Sequence, residues 1–430
     1  MEGEAAEEVA AEQRGEAEIL CDAAELGGDR VWTAAERGHG AGVPSPAVTD
    51  PWVSEHAARI AARAERELAA LVAVSSPSGD VAGAEEAIAV AGSLLPVGAE
   101  VERPPCSTPD HAPDLLARLR GTGSGRVLLL GHLDTVVAHG AHHPLHAEDG
   151  RLVGSGTSDM KGGVVLALGV LRALAARRED FAEVALLLVV DEEWRRAPFA
   201  HAEAFRGWDA CLCFEAGERT PEGEEAVVVE RKAAGTLRVT ATGRAAHSGA
   251  APERGANALL ALAEAARTVA ARHDPDGPDR LTAVPTVLRS GEAFNVVPDA
   301  GELFCDLRAD DLGVFDRVLA EVPGAVGGAT LHADLHRAWP AMDARDAARD
   351  LLAEAGQRLG RPVAPARRGG ASDASHIARV VPRTVDGLGP RGGLAHAPGE
   401  FVLAGSLAPR AEVALAVTAA ALAICEAPRR

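Results

Sequence analysis

Positive charge is scarce in this 430-residue sequence. Lys plus Arg number 43 against 63 for Asp plus Glu, a formal net charge of -20. Nucleic-acid binding needs a basic surface to neutralise phosphates, and an anionic bilayer attracts basic segments, so neither partner is expected. No stretch approaches the roughly 18 uninterrupted apolar residues of a membrane span. Cysteine is sparse: Cys21, Cys106, Cys211, Cys213, Cys305 and Cys425 lie scattered without paired spacing. Cys211 and Cys213 stand in an apolar run and read as small buried hydrophobes, so no disulfide framework is expected and the cytoplasm is the expected compartment. The amino-terminal segment has neither a basic n-region nor an apolar h-region and does not read as a signal peptide. Internal repeats are absent.

Residues 1–50 hold twelve acidic and three basic residues and only short apolar runs. They read as a disordered acidic extension or an over-long start to the reading frame. From Asp50 the pattern becomes that of a folded protein. The stretch "DPWVSEHAARIAARAERELAALVAV" has apolar residues at helical spacing with an early Ser54, and "AGAEEAIAVAGSLL" reads as a second helix. Aliphatic runs then alternate with helices: "RVLLLGHLDTV", "EVALLLVVDEE" and "DACLCFEAGE" as strands, "VVLALGVLRALAARR" as a helix. Near-continuous apolar strands between helices indicate a mixed, mainly parallel sheet covered on both faces, an α/β fold. Between residues 233 and 341 the order becomes strand, helix, strand, strand, helix, strand, the split βαβ arrangement of a ferredoxin-like α+β domain. At 430 residues two domains are expected: a catalytic domain over 51–232 and 342–430, interrupted by an insertion at 233–341.

The strand ends carry the chemistry. His132 and Asp134 share a face of their strand, because side chains alternate. The run "LLLVVDEE" ends in Asp191, Glu192 and Glu193, "CLCFEAGE" ends in Glu215, and "GSGTSDMKGG" sets Asp159 in a glycine-rich turn before a helix. Ligands of open α/β sheets collect at the carboxyl ends of strands, so these groups can converge. Several carboxylates in one crevice repel unless a cation neutralises them, and a His/carboxylate set without thiolate suits zinc or a similar divalent ion. Each acid alone could equally be a helix cap or an ion-pair partner.

Taken together, "GHLDTV", "GSGTSDMKGG", "DEE", "FEA" and "GLAHAPGE" resemble the co-catalytic di-zinc hydrolases that include glutamate carboxypeptidase, acetylornithine deacetylase, succinyl-diaminopimelate desuccinylase and the aminoacylases. The resemblance spans roughly residues 52 to 426. It implies that Asp159 bridges two zinc ions, with cobalt or manganese as other options. His132 and Glu215 would complete one site, Glu193 and His396 the other, with Asp134 orienting His132. It also implies that Glu192 is the general base that deprotonates the attacking water and returns the proton to the leaving nitrogen. The inserted domain matches the family's lid. There "GRAAHSGAAPERGANALLAL" supplies His247 to the oxyanion, in several members from the partner subunit, so a homodimer through the lid is implied. Asn295 and Arg308 match substrate-binding positions, Arg308 gripping a carboxylate with its guanidinium fork. Gly370 in "GGASDASH" would offer backbone N–H groups to the same carboxylate.

Other features read as structure. "GTGSGR" precedes a strand instead of joining strand to helix, so it reads as a hairpin turn and not a phosphate cradle. His139, His142, His143 and His146 fit no closed zinc spacing and read as solvated loop residues. "GASDAS" lacks the context of a nucleophilic serine elbow. One departure from the family stands out: after "DEE" the chain continues with Trp194, Arg195 and Arg196 instead of a small Gly–Ser turn, which puts the shape of that wall in question.

The implied function is a zinc-dependent metallopeptidase that hydrolyses the amide bond before a carboxyl-terminal amino acid, with glutamate the expected residue. "AHSGAAPERGANAL" and "DGLGPRGGLAHAPGEFV" resemble the glutamate carboxypeptidase branch. The alternative is an N-acyl-amino-acid deacylase with the same chemistry and a small acyl group. A third possibility, a catalytically silent metal- or peptide-binding homologue, should have lost Glu192, a ligand or His247, and all are present.

Overall fold

A computed structural model of the chain describes residues 30–31 and 50–426. Of the expected acidic extension, Arg30–Val31 form a two-residue strand paired antiparallel with Ala366 and Arg367. The rest of it, with Cys21, lies outside the described residues. Among the described residues two compact units are present, one holding those up to residue 230 with 342–368 and 372–426, the other residues 231–341 with 369–371.

The first unit is built on a six-stranded sheet. Its neighbours in space are Thr384–Val385, Ala210–Cys213, Arg126–His132, Glu183–Val189, Leu115–Arg120 and Glu100–Glu102. The first four run parallel, Leu115–Arg120 pairs antiparallel with Glu183–Val189, and Glu100–Glu102 pairs antiparallel with Leu115–Arg120. Alternation along the central strands feeds two separate cores. Val127, Leu129, Val184, Leu186 and Leu212 point into the larger one, which holds residues of the helices Pro51–Val72, Gly162–Leu174 and Leu407–Glu426. Leu128, Leu130, Ala185, Leu187, Cys211 and Cys213 point into the other. That face is covered by the short helix Asp373–Ala378 and by a second sheet contributing Ala226, Val228, Ala364 and Ala366. Burial on both faces accounts for the continuous apolar runs.

The first helix begins one residue after its cap: the Asp50 carboxylate accepts from the Trp52 N–H at 2.9 Å, and Ser54 lies within the first turn. The segment Ala404–Cys425 is long and apolar enough to cross a membrane by length and composition, but 67% of its apolar 18-residue stretch is buried inside the fold. It also holds the fully buried Arg410, bonded to the Glu225 carboxylate at 3.0 Å. This is the signature of a core helix.

The reading of "GTGSGR" as a hairpin turn is wrong. Leu115–Arg120 and Arg126–His132 do not pair; Glu183–Val189 lies between them, hydrogen-bonded to both. The loop instead docks on residues 178–182, with Gly121 N–H donating to Ala182 O at 3.0 Å and Gly123 N–H to Phe181 O at 2.9 Å. A Cβ on Gly121 would stand 2.1 Å from the Phe181 carbonyl oxygen, so glycine serves a close backbone approach.

The second unit is a five-stranded antiparallel sheet in which Ala233–Thr242 is flanked by Ala300–Ala309 and Ala329–Trp339, and Thr282–Ser290 forms an edge. The helices Ala258–Ala270 and Gly313–Glu321 pack on it through Leu262, Ala265, Val314 and Phe315.

Candidate active site

Three neighbouring parallel strands deliver the acid and imidazole groups. In the register of the sheet His132 lies beside Val189, and Leu130 beside Cys213. The residues that follow, Asp191 to Glu193 and Glu215, therefore leave the sheet at one edge, as expected for the carboxyl ends of parallel strands.

His132 is buried, with Nδ1 3.0 Å from the carbonyl oxygen of Asp134 and 3.4 Å from its carboxylate. A carbonyl only accepts, so Nδ1 carries hydrogen and Nε2 is the nitrogen that faces the other ligands. Nε2 stands 3.0 Å from Asp159 and 3.8 Å from Glu215. On the other side of Asp159, His396 Nε2 is 2.9 Å from its second oxygen and 3.1 Å from Glu193. Two groups result, His132/Asp159/Glu215 and Asp159/Glu193/His396, each with ligand atoms within 4.8 Å of one another. Asp159 belongs to both, with one oxygen toward each histidine. His396 adopts a left-handed backbone (φ 64°), uncommon for a residue with a side chain and found where a site over-determines the conformation.

The electrostatics are those of crowded opposite charges. Burial disfavours the charged form of His132, but hydrogen bonds to Asp134 and Asp159 outweigh it and hold the imidazole well above its ordinary range. His396 behaves likewise through Glu193 and Asp159. Burial would raise Asp159, yet the two histidines hold it well below. Glu192 is pushed well above the usual carboxyl range, first by burial and then by Asp373, Glu193 and Glu215. Two imidazoles and three carboxylates without a thiolate form a donor set suited to zinc or a comparable divalent ion, whose charge would replace the protons these groups otherwise hold.

Asp134 has a further task. Its two carboxylate oxygens accept the N–H groups of Glu192 and Glu193, each at 3.1 Å. One buried side chain thus positions the turn carrying the expected base and a ligand.

The residues after Glu193 form a buried network. Arg195 is 1% exposed; its Nε donates to Asp191 at 2.9 Å, its Nη2 to Asp373 at 2.8 Å, and its Nη1 also bonds Asp373. Asp191 in turn accepts from Thr108 N–H and Oγ at 2.9 and 2.7 Å. Arg195 is therefore an internal cross-link. Cys106, Asp114 and Asp191 also cluster, but Asp114 is bonded to His201 at 2.6 Å and to Val190 N–H at 3.0 Å, and Asp191 to Arg195. That group is an ion-pair network.

The remaining expected residues lie in the second unit. His247 is exposed, and its Nδ1 accepts from the N–H groups of Gly249 and Ala250 at 3.1 Å. It lies in a backbone bridge with Val296, and Ser248 N–H donates to Asn295 O at 2.9 Å, so His247 and Asn295 are neighbours. The Arg308 guanidinium is paired with Asp306 at 3.0 Å, and Gly370 O accepts from Arg231 at 2.7 Å. Of the four loop histidines, His139 contacts Ser75 Oγ at 2.8 Å, and none joins a metal-holding group among the described residues.

A family model for peptidase family M20/M25/M40 matches residues 128–420. The chain belongs to this family. By that membership it is a hydrolase acting on C–N bonds, in a generally metal-dependent family. The peptidase is 28% identical over 349 residues to carboxypeptidase G2 of Pseudomonas sp. (strain RS-16), covering 75% of this chain and 80% of that one. It is 31% identical over 325 residues to succinyl-diaminopimelate desuccinylase of Methylorubrum populi, covering 69% and 83%. Among solved structures, aminopeptidase PepT from Bacillus cereus shares the fold at a TM-score of 0.66 and 22% identity, covering 84% of this chain and 98% of that one. Human carnosine dipeptidase 1 does so at 0.64 and 15%, covering 86% and 99%.

Proposed function

We propose that the peptidase is a two-zinc carboxypeptidase that cleaves the amide bond before a carboxyl-terminal amino acid, glutamate foremost. The observation that carries this reading is the pair of three-residue groups sharing Asp159, with Glu192 beside them. His132, Asp159 and Glu215 would hold one ion, and Asp159, Glu193 and His396 the other. When bound, such a pair lowers the pKa of water and polarises the scissile carbonyl.

The chain's own residues supply the proton handling and the orientation. Glu192 takes the proton of the attacking water and passes it to the departing nitrogen, a task suited to a carboxyl whose proton affinity is raised by burial. Asp134 holds Glu192 in place through its backbone N–H. Because Nδ1 of His247 is an acceptor, its hydrogen lies on Nε2, the arrangement needed to donate to an oxyanion. Arg308, Asn295 and the Gly370 turn are assigned to the substrate carboxylate, which would compete with Asp306 for the Arg308 guanidinium. A homodimer through the second unit is supported by Val284 and Leu288, 43% and 41% exposed on its edge strand, and by the fully exposed Phe294. We assign the enzyme to the cytoplasm.

Desuccinylase relatives at 27–31% identity favour a second reading, an N-acyl-amino-acid deacylase. The test is release of free amino acid from a panel of N-acyl and peptidyl substrates, with zinc-loaded protein beside a chelated control. Chelator-sensitive release of glutamate from bulky acyl-glutamates is expected. Activity confined to N-acetyl or N-succinyl amino acids would replace the carboxypeptidase reading with the deacylase, and silence with metal bound would refute both.

A further inference from the structure

The shared aspartate sits on a segment that neither helix nor strand holds. Thr157–Lys161 is a distorted turn in which Asp159 (φ −122°, ψ 94°) and Met160 leave helical geometry, entered through a left-handed Gly156 (φ 73°). The N–H groups of Gly156, Ser158 and Asp159 therefore have no ladder to bond, and buried donors need partners.

All three donate to one side chain. The Glu400 carboxylate, 4% exposed, accepts from Gly156 N–H at 2.8 Å through one oxygen. Through the other it accepts from Ser158 at 2.7 Å and Asp159 at 2.8 Å. Its backbone continues the arrangement, since Gly154 N–H donates to Glu400 O at 2.9 Å. Beyond it, Phe401–Leu403 pairs antiparallel with Arg151–Val153. Glu400 also lies four residues after His396, in a loop with left-handed residues at Leu394, His396 and Gly399. One carboxylate thus joins the segment bearing Asp159 to the segment bearing His396.

We propose that Glu400 is a positioning residue that fixes Asp159 relative to His396 and so sets the affinity of the metal pair. The inference rests on the two-metal reading above. Outer partners of this kind act by orienting ligands that would otherwise reorganise on binding, and removing one typically weakens metal binding about 10- to 100-fold. In Glu400→Gln the amide oxygen still accepts, but the NH2 group faces a backbone N–H, donor against donor.

Full-length wild-type protein and E400Q are loaded with zinc and titrated with a competing chelator, with bound zinc counted at each step and steady-state kinetics run across zinc concentrations. E400Q is expected to release zinc at 10- to 100-fold lower chelator strength, with kcat falling at limiting zinc and recovering as zinc is raised. A purely structural role would lower the folded fraction alike at every zinc concentration, and that result, or zinc affinity equal to wild type, overturns the proposal. Wild-type protein that takes up no divalent ion would overturn instead the two-metal reading beneath it. Should E400Q fail to fold, hydrogen exchange in the wild-type chain decides. Slow exchange at the amides of residues 156, 158 and 159 upholds the clamp, and exchange at open-loop rates overturns it.

Discussion

Replacing Arg195 by Met should strand two buried carboxylates. Asp191 and Asp373 are 2% and 3% exposed, and every guanidinium nitrogen of Arg195 bonds one or the other. Breaking a buried ion pair from one side costs about 3–5 kcal/mol, because the remaining charge loses its partner and stays out of water. That is a large share of the roughly 5–15 kcal/mol by which domains are stable. The pH dependence gives the sign. Arg195 holds Asp191 below its ordinary pKa against the opposing effect of burial. Its contribution is therefore present above the unfolded carboxylate value near 4 and is lost as pH falls through the lower folded value. In the variant the Asp191 carboxyl keeps the upward push of burial without Arg195 to oppose it and binds a proton as pH falls from 8 to 5, relieving part of the penalty. Urea unfolding followed by tryptophan fluorescence should show a gap between wild type and R195M that is widest at pH 8 and narrower at pH 5. R195K, which keeps the charge but loses the planar fork, should fall between them. A gap below about 1 kcal/mol at pH 8, or one independent of pH, would refute the cross-link.

Three further outcomes are expected. Glu192→Gln should lower kcat by about 10²- to 10⁴-fold while the metal content of the purified protein stays that of wild type, since the residue is assigned to proton transfer and not to metal binding. His376 is pushed down to about 4, chiefly by burial, so between roughly pH 6.5 and 4 the unfolded chain binds a proton that the folded chain refuses and stability falls. The loss reaches about 3 kcal/mol, and unfolding of H376Q over that interval should show a shallower slope. Gly163→Ala would place a Cβ 1.7 Å from the Phe214 carbonyl oxygen. Displacing that backbone should cost at least about 2–3 kcal/mol in chemical denaturation and shift the adjacent Glu215, lowering bound zinc.

What could be read from the sequence follows the range of the interactions. His132, Asp134, the acids at 191–193 and Glu215 were readable because each terminates an apolar strand of period two. The split βαβ order of the second unit was readable because its elements succeed one another along the chain. The hairpin assigned to "GTGSGR" failed because adjacency in sequence was taken for pairing, whereas the intervening partner, Glu183–Val189, comes some sixty residues later. Glu400 was visible as a letter in "GLAHAPGE" but its partners are 241 to 244 residues away. No local pattern announces three backbone N–H groups on so distant a turn. Arg195 looked like added charge beside the site, and only the position of Asp373, 178 residues on, makes it an internal cross-link. The second role of Asp134, capping the turn at Glu192 and Glu193, likewise depends on strand neighbours that a linear reading does not supply.

The ladder between Arg151–Val153 and Phe401–Leu403 also orders events during synthesis. A ribosome adds about 5–20 residues per second, so on the order of 10 to 50 seconds separate the appearance of Asp159 from that of the Glu400 carboxylate, 241 residues later. Early in that interval Glu215 joins His132 and Asp159 on the nascent chain, and for most of what remains the three stand with their turn untied and His396 not yet made. If the site takes metal as proposed, delivery is productive only once the segment bearing His396 and Glu400 has been made, and other divalent ions have to be kept from the half-built site until then.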